Sequence, residues 1–164
     1  LIKEHPGFAR DFKLRFVGNV DDSVSEYFSD RDLEDTVELT GYVSHAEVTK
    51  IMTGSTALLF VVPQSRNNKL IITGKLFEYL ASGSPVLSVG PVDGDASAIL
   101  TDTGREAMVS YADKQTFKEQ LFQLYQRWKE GNGIVPQLET GMLEKYSRKS
   151  SAALMAEYMK KITS

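Results

Sequence analysis

The sequence has 164 residues, 41% of them hydrophobic and 25% charged, which is typical of one globular domain large enough to bury a core. Its formal net charge of -3 provides no overall positive field that would attract nucleic acid. The chain has no cysteine and no apolar run long enough to span a membrane, which excludes disulfides, thiolate chemistry and a transmembrane helix and predicts a cytoplasmic protein.

The chain opens with LIKEHPGF, which is typical of the last turn of a helix closed by Pro6 and Gly7 and predicts a fragment that begins inside a longer protein. Beyond it, strand-like runs alternate with stretches of helical spacing. The predicted strands are LRFVG, VELTGYV, ALLFVV, PVLSV and an edge-like REAMVSY. The predicted helices are SVSEYFSDRDL, HAEVTKIMTGS, GKLFEYLAS, DGDASAIL, KQTFKEQLFQLYQRWKE and, after a loop with Pro136, about 147–162.

This alternation predicts an α/β fold, a Rossmann-like doubly wound parallel sheet with helices on both faces, formed by a single domain over 1–164. The run ALLFVV is apolar at every position, which predicts a central strand covered on both faces. Ser44 and Glu47 have the spacing of a capping box at a helix start. Asp113 is the predicted cap of the long helix, and Gly131 is its predicted end.

Ligands of such folds bind beyond the carboxyl ends of the strands, next to the following helices. The candidate loops therefore come after Gly18, Val43, Val62 and Val89.

Other positions do not predict a metal site or a catalytic site. His5 and His45 are isolated, which argues against a metal site, no serine has a predicted base beside it, and DGDAS is better explained as a helix start than as a calcium loop.

The helix predicted over 74–82 is the most informative element. Its predicted polar face has Lys75, Glu78, Tyr79 and Ser82, and its predicted apolar face has Leu76, Phe77, Leu80 and Ala81. Thr73 is the predicted cap, and the amides of Gly74, Lys75 and Leu76 favour an anion such as phosphate. Lys75 adds a positive charge, and Glu78 is an acceptor for the two hydroxyls of a ribose. A plain surface pair of Lys75 with Glu78 explains the same spacing and stays open.

The stretch GKLFEYLASGSPVL resembles the donor-site helix of GT-B-fold glycosyltransferases of group 1 (family 4), in which a Glu precedes Gly-x-Pro-Val and a buried strand. The segments LRFVGNVDD, VELTGYVSHAEV, ALLFVVP and YSRKSSAALMAEYMKKI follow the order of the family's C-terminal domain, which binds the nucleotide sugar. The resemblance therefore covers nearly the whole chain.

By this resemblance Glu78 corresponds to the second Glu of the family's E-x7-E pattern, which holds the donor ribose. Leu70 occupies the place of the first Glu, so recognition of the transferred sugar must differ or use the neighbouring Asn67 and Asn68, unless those two are ordinary loop residues. Thr73, Gly74 and Lys75 correspond to residues beside the diphosphate.

The resemblance places three more residues at the donor site. Tyr42 and Val43 correspond to the loop that lines the nucleobase, although plain packing of a half-buried Tyr42 explains its position equally well. Gly18 is a turn glycine whose place at a strand end also suits the donor site.

The activity that the resemblance implies is transfer of a sugar, with retention of configuration, from a UDP- or GDP-sugar to an acceptor hydroxyl. Cell-surface polysaccharide or glycolipid synthesis, in the cytoplasm or at the inner face of the membrane, is the implied setting. The missing partner would be an N-terminal acceptor domain of the same protein, so that this chain alone is expected to be inactive, with no catalytic residue, cofactor or metal of its own.

Three alternatives remain at this point. A nucleotide-sugar 2-epimerase shares the same fold. A flavodoxin-like binding or signalling domain would need acidic residues at successive strand ends, and Asp21 and Asp22 provide them at one strand only. A purely structural interaction module would bind no nucleotide.

Overall fold

The computed structural model describes residues 1–131 and 140–163. Their contacts group into two compact units, Leu1–Gly54 and Ser55–Ser164, and each contains a pair of parallel strands with helices beside it. The predicted α/β class with parallel strands is confirmed, and the strands form two small sheets consistent with a Rossmann-like domain. The assignment of the whole chain to one domain stays a prediction.

The first unit has short elements around one parallel strand pair. In chain order they are α1 (Pro6–Asp11), β1 (Leu14–Phe16), α2 (Asp22–Ser29), a 3₁₀ helix (Glu34–Thr36), β2 (Val37–Leu39) and α3 (His45–Gly54). Leu14 lies opposite Val37, and Phe16 lies opposite Leu39. The prediction that Pro6 closes a helix is wrong, because Pro6 begins α1, where its missing N–H would have had no helical partner in any case.

The starts of α2 and α3 are capped by side chains. Asp21 accepts a hydrogen bond from the Ser23 amide at 3.0 Å, so its carboxylate serves α2. The predicted capping box is confirmed, since the Ser44 amide donates to Glu47 Oε2 at 3.0 Å and the Glu47 amide donates to Ser44 Oγ at 3.3 Å. The hydrogen bonds from the Ser44 hydroxyl and amide lower the pKa of Glu47.

The second unit contains the longer helices. Its elements are β3 (Leu58–Val61), a 3₁₀ helix (Asn68–Leu70), α4 (Gly74–Ser82), β4 (Val86–Val89), α5 (Asp95–Asp102), α6 (Lys114–Lys129), α7 (Thr140–Glu144) and α8 (Arg148–Thr163). β3 and β4 are parallel, with Leu58 opposite Val86. The predicted strand REAMVSY is reduced to one parallel bridge between Val109 and Val89, which places its residues beside β4.

The core of this unit lies on one face of β3. Phe60 packs with Leu76 and Leu80 of α4 and with Leu100 of α5. The prediction that both faces of ALLFVV are covered is wrong, because Leu59 and Val61 are 39% and 53% exposed. Successive side chains of a strand point to opposite faces, and the core helices cover only one of them.

The ends of the long helices follow local signals. Asp113 accepts from the Thr116 amide at 3.0 Å, and Gly131 follows the end of α6 with φ 67°, so both predictions for α6 are confirmed. α8 begins at Arg148, where the pattern predicted a helix from about 147, whereas the predicted loop with Pro136 lies outside the described residues. No helix in the described part of the chain is both long enough and apolar enough to cross a bilayer.

Candidate functional site

The start of α4 leaves backbone donors without partners. Thr73 occupies the N-cap position with extended backbone (φ -112°, ψ 153°), but its side chain makes no capping hydrogen bond, so the predicted side-chain cap is wrong. Its carbonyl oxygen instead accepts from the Leu76 amide at 3.1 Å. Within the described residues the amides of Gly74 and Lys75 have no partner. Two N–H groups at the positive end of a nine-residue helix therefore remain for an anion.

The buried stripe of α4 differs from the predicted one at two positions. Leu76 and Leu80 are fully buried, and Phe77 and Tyr79 pack against the core on either side of them. At about 100° per residue, Phe77 and Tyr79 lie equally far from the midline of Leu76 and Leu80, whereas Ala81 lies further round and is exposed. The placement of Tyr79 on the polar face was wrong. Burial, and next the negative charge of Glu78, raise the pKa of Tyr79.

Lys75 and Glu78 are left exposed on the outer face of α4. The two side chains form no salt bridge with each other, and across the described residues neither has any other hydrogen-bond or ionic partner. The plain surface pair that the sequence left open is therefore not formed. Both charges remain available to a ligand that lies along this face.

The segment before α4 is held by residues far away in the sequence. Asn68 donates from Nδ2 to the Tyr111 hydroxyl at 3.1 Å, so its amide is engaged within the protein. Lys69 Nζ lies 2.5 Å from Asp93 Oδ2, and this contact lowers the pKa of Asp93. Asn67 and Leu70 are exposed, Leu70 to 72%. Of the two asparagines suggested for sugar recognition, Asn67 has a side chain that bonds to none of the described residues.

Two glycines allow close contacts around this segment, Gly90 at the ends of the strands and Gly94 against the backbone of Lys69. A Cβ atom on Gly90 would lie 2.7 Å from Met108 Sδ and 3.0 Å from Val62 Cβ. A Cβ atom on Gly94 would lie 3.0 Å from the Lys69 carbonyl oxygen. These contacts are tighter than most Cβ atoms make, so a larger residue at Gly90 or Gly94 would force its neighbours to shift.

The remaining predicted residues belong to the first unit. Gly18 has φ 107°, a backbone conformation that favours glycine, and its amide donates to the Gly41 carbonyl at 2.8 Å in an isolated bridge between the two residues. Tyr42 directly follows Gly41 and is 84% exposed, so the packing explanation for this tyrosine is wrong. Val43 is partly buried. These three residues lie in the first unit and Thr73, Gly74, Lys75 and Glu78 in the second. That both sets line one site stays a prediction.

The sequence did not indicate Tyr111, Lys69 or Asp93 as parts of this region. The available signal for Tyr111 was its position as the last residue of the strand-like run REAMVSY, two residues after Val109, which pairs with β4. As for metals, the described residues contain no group of three or more His, Cys, Asp or Glu side chains that could hold an ion.

The sequence was also compared with known proteins. A sequence model of the family described as "Glycosyl transferases group 1" matches residues 1–127, which is well over half of the chain and includes both strand pairs and the start of α4. No curated protein and no solved structure matches the chain.

Proposed function

The chain belongs to the group 1 glycosyltransferases, and from this we propose that it binds the nucleoside-diphosphate sugar from which a glycosyl group is moved to an acceptor hydroxyl. The single observation that carries the proposal is the outer face of α4. Two amides, an ammonium and a carboxylate, none of which has a partner among the described residues, follow one another there within about one helical turn.

The ligand groups follow the same order. The amides of Gly74 and Lys75 donate to the diphosphate at the positive end of the helix, and the Lys75 ammonium adds a mobile charge. Glu78 lies one turn further along and accepts hydrogen bonds from the two ribose hydroxyls. The spacing between phosphate and ribose in a nucleotide is of the order of one helical turn, about 5.4 Å.

These groups also have a role in the transfer step. Negative charge builds up on the diphosphate as its bond to the sugar breaks, and donors that are already in place stabilise that charge without reorganising. Gly74 and Lys75 supply such donors. In this proposal configuration is retained, and the acceptor is bound by a second domain of a longer protein, so that the present chain alone does not turn over.

The first unit contributes the nucleobase site. The ring of Tyr42 is 84% exposed and provides a flat face for a base, with Val43 next to it in the chain and Gly18 hydrogen-bonded to Gly41 before it. The proposed donors are UDP- or GDP-sugars, and the proposed setting is polysaccharide or glycolipid synthesis in the cytoplasm or at the inner face of the membrane.

The test is a calorimetric titration of the full-length protein with UDP, GDP and their common sugars. Saturable binding of one nucleotide series supports the proposal and identifies the base. Absence of binding to every nucleotide would contradict it and favour a structural module. A product assay then separates sugar transfer to an acceptor from epimerisation of the nucleotide sugar.

A further inference from the structure

Building on the proposed function, we propose that Tyr111 is a positioning residue that fixes the 3₁₀ helix Asn68–Leu70 against the transferred sugar of the donor. The Tyr111 hydroxyl both donates and accepts hydrogen bonds. It donates to the Val62 carbonyl at 2.8 Å, with the Pro63 carbonyl as a longer alternative acceptor at 3.4 Å, and it accepts from Asn68 Nδ2 at 3.1 Å. A phenol has one proton to give and lone pairs to accept with, so one orientation of the hydroxyl satisfies both roles.

Both partners of Tyr111 are far from it along the chain, Val62 by 49 positions and Asn68 by 43, and they lie across the sheet from it. Val62 directly follows β3, which pairs with β4, and Val109 lies beside β4 through a parallel bridge. Tyr111 therefore reaches from the outer side of β4 back to the end of β3. This crossing is closely packed, because Val62 and Met108 meet where Gly90 has no side chain.

A second contact holds the next residue of the same 3₁₀ helix. Lys69 Nζ binds Asp93 Oδ2 at 2.5 Å, and the backbone of Lys69 lies against Gly94. Both charged side chains are exposed, so water and salt weaken this ion pair. The hydrogen bond from the Asn68 amide to the Tyr111 hydroxyl is partly buried, and it is therefore more persistent than this ion pair.

The position of this 3₁₀ helix connects the contact between Tyr111 and Asn68 with the proposed donor site. It lies immediately before α4, with Ile71 anchored against the core between them. If Glu78 binds the ribose and the first turn of α4 binds the diphosphate, the sugar on the far phosphate extends away from α4, toward the residues that precede it. Asn67 and Leu70 are exposed there, as is Lys69, whose charge is paired with Asp93. Tyr111 sets their position without touching the ligand itself.

The test compares Tyr111→Phe with the wild type in the full-length protein. Removing the hydroxyl should lower kcat/KM for the nucleotide sugar about tenfold, as expected for the loss of one hydrogen bond that holds sugar-binding residues in place. The Kd for the nucleoside diphosphate, which lacks the sugar, should change by less than about twofold. Tyr158→Phe is the matched control, because Tyr158 is exposed on α8, and it should alter neither quantity.

Asn68→Ala is a second variant, which removes the same hydrogen bond from its other partner. Alone it should lower kcat/KM for the nucleotide sugar, and in the Tyr111→Phe background it should add less than about twofold, because the shared hydrogen bond is already lost. Equal weakening of nucleoside diphosphate and nucleotide sugar by Tyr111→Phe, or no effect on either, would overturn the positioning role. If the wild type bound no nucleotide, the proposed function itself would fall, and this inference with it.

Discussion

Arg105 donates from Nη2 to the Leu80 carbonyl oxygen at 3.1 Å, which places a buried guanidinium at the carboxyl end of α4. Its other terminal nitrogen donates to the Ser84 carbonyl at 3.0 Å. A positive charge at this end complements the helix dipole, whose positive end is the proposed phosphate site. Arg105 therefore binds carbonyl groups at the carboxyl end of α4, the helix whose other end is the candidate site.

Replacing Arg105 with Met should destabilise the protein by about 2–4 kcal/mol, because the buried carbonyls at the end of α4 lose their donors. Urea unfolding followed by circular dichroism measures the change. Arg127→Met is the matched control. Arg127 is exposed and makes no hydrogen bond or ion pair with the described residues, so its replacement should cost less than about 0.5 kcal/mol. Equal stability of the two variants would refute this role of Arg105.

Replacing Glu78 with Gln keeps the shape of the side chain but removes its charge. The loss of charge-assisted hydrogen bonds to the ribose should weaken nucleotide binding by about 1.5–3 kcal/mol, or roughly ten- to hundredfold, in a calorimetric titration of the full-length protein. Stability should change little, since Glu78 has no partner within the described residues.

Two controls separate this effect from a general one. Glu26→Gln, on the exposed face of α2, should leave nucleotide affinity unchanged. A 2′,3′-dideoxy nucleotide should bind the wild type about as weakly as the normal nucleotide binds the Glu78→Gln variant, and should lose little more on mutation. Unchanged affinity of that variant for the normal nucleotide would rule out the ribose assignment.

Replacing Gly90 with Ala should destabilise the protein by about 1–3 kcal/mol, because the new methyl group would meet Val62 Cβ, which cannot move away easily. Thermal unfolding measures the loss. Gly54→Ala is the matched control, since a Cβ atom there meets nothing within 4 Å, and it should be neutral or slightly stabilising at the end of α3. A neutral Gly90→Ala would show that the strand ends have room to separate.

Asp102, at the end of α5, should show a pKa below its ordinary value, because Lys145 and then Tyr146 donate hydrogen bonds to its carboxylate. Since the folded pKa is the lower one, the stabilisation is present at pH values above the unfolded pKa and is lost as pH falls through the folded value. A carboxyl-carbon NMR titration checks the direction. Tyr146→Phe should raise the pKa of Asp102 toward normal, whereas Tyr158→Phe should not.

Features that depend on neighbours in sequence were predictable. The Ser44 and Glu47 capping box and the caps of α6 follow from residues three or fewer positions apart. The prediction of which α4 residues are buried was only partly correct. Tyr79 was assigned to the polar face and Ala81 to the apolar face without locating the midline between Leu76 and Leu80. The shape of the helix, rather than its composition, decided their positions.

Features that depend on distant partners were not predictable. No local pattern indicates that Arg105 meets the end of α4 or that Tyr111 meets Val62, since both contacts arise only when separate loops fold together. The exposure of Leu59 and Val61 likewise depends on which face of β3 the helices cover. Likewise the side chain of Thr73 had the right type for a cap, but the geometry of its turn used the backbone carbonyl instead.

The reach of Tyr111 across the sheet also has a kinetic consequence. Its hydroxyl and Val62 are separated by 49 positions in the chain, and a contact that closes so long a loop gains nothing until most of the intervening chain is ordered. We therefore expect this hydrogen bond to form after the folding barrier is crossed. In chevron plots, Tyr111→Phe should accelerate unfolding and leave the refolding arm almost unchanged. The surface proposed to read the sugar would then be completed only after the folding barrier has been crossed.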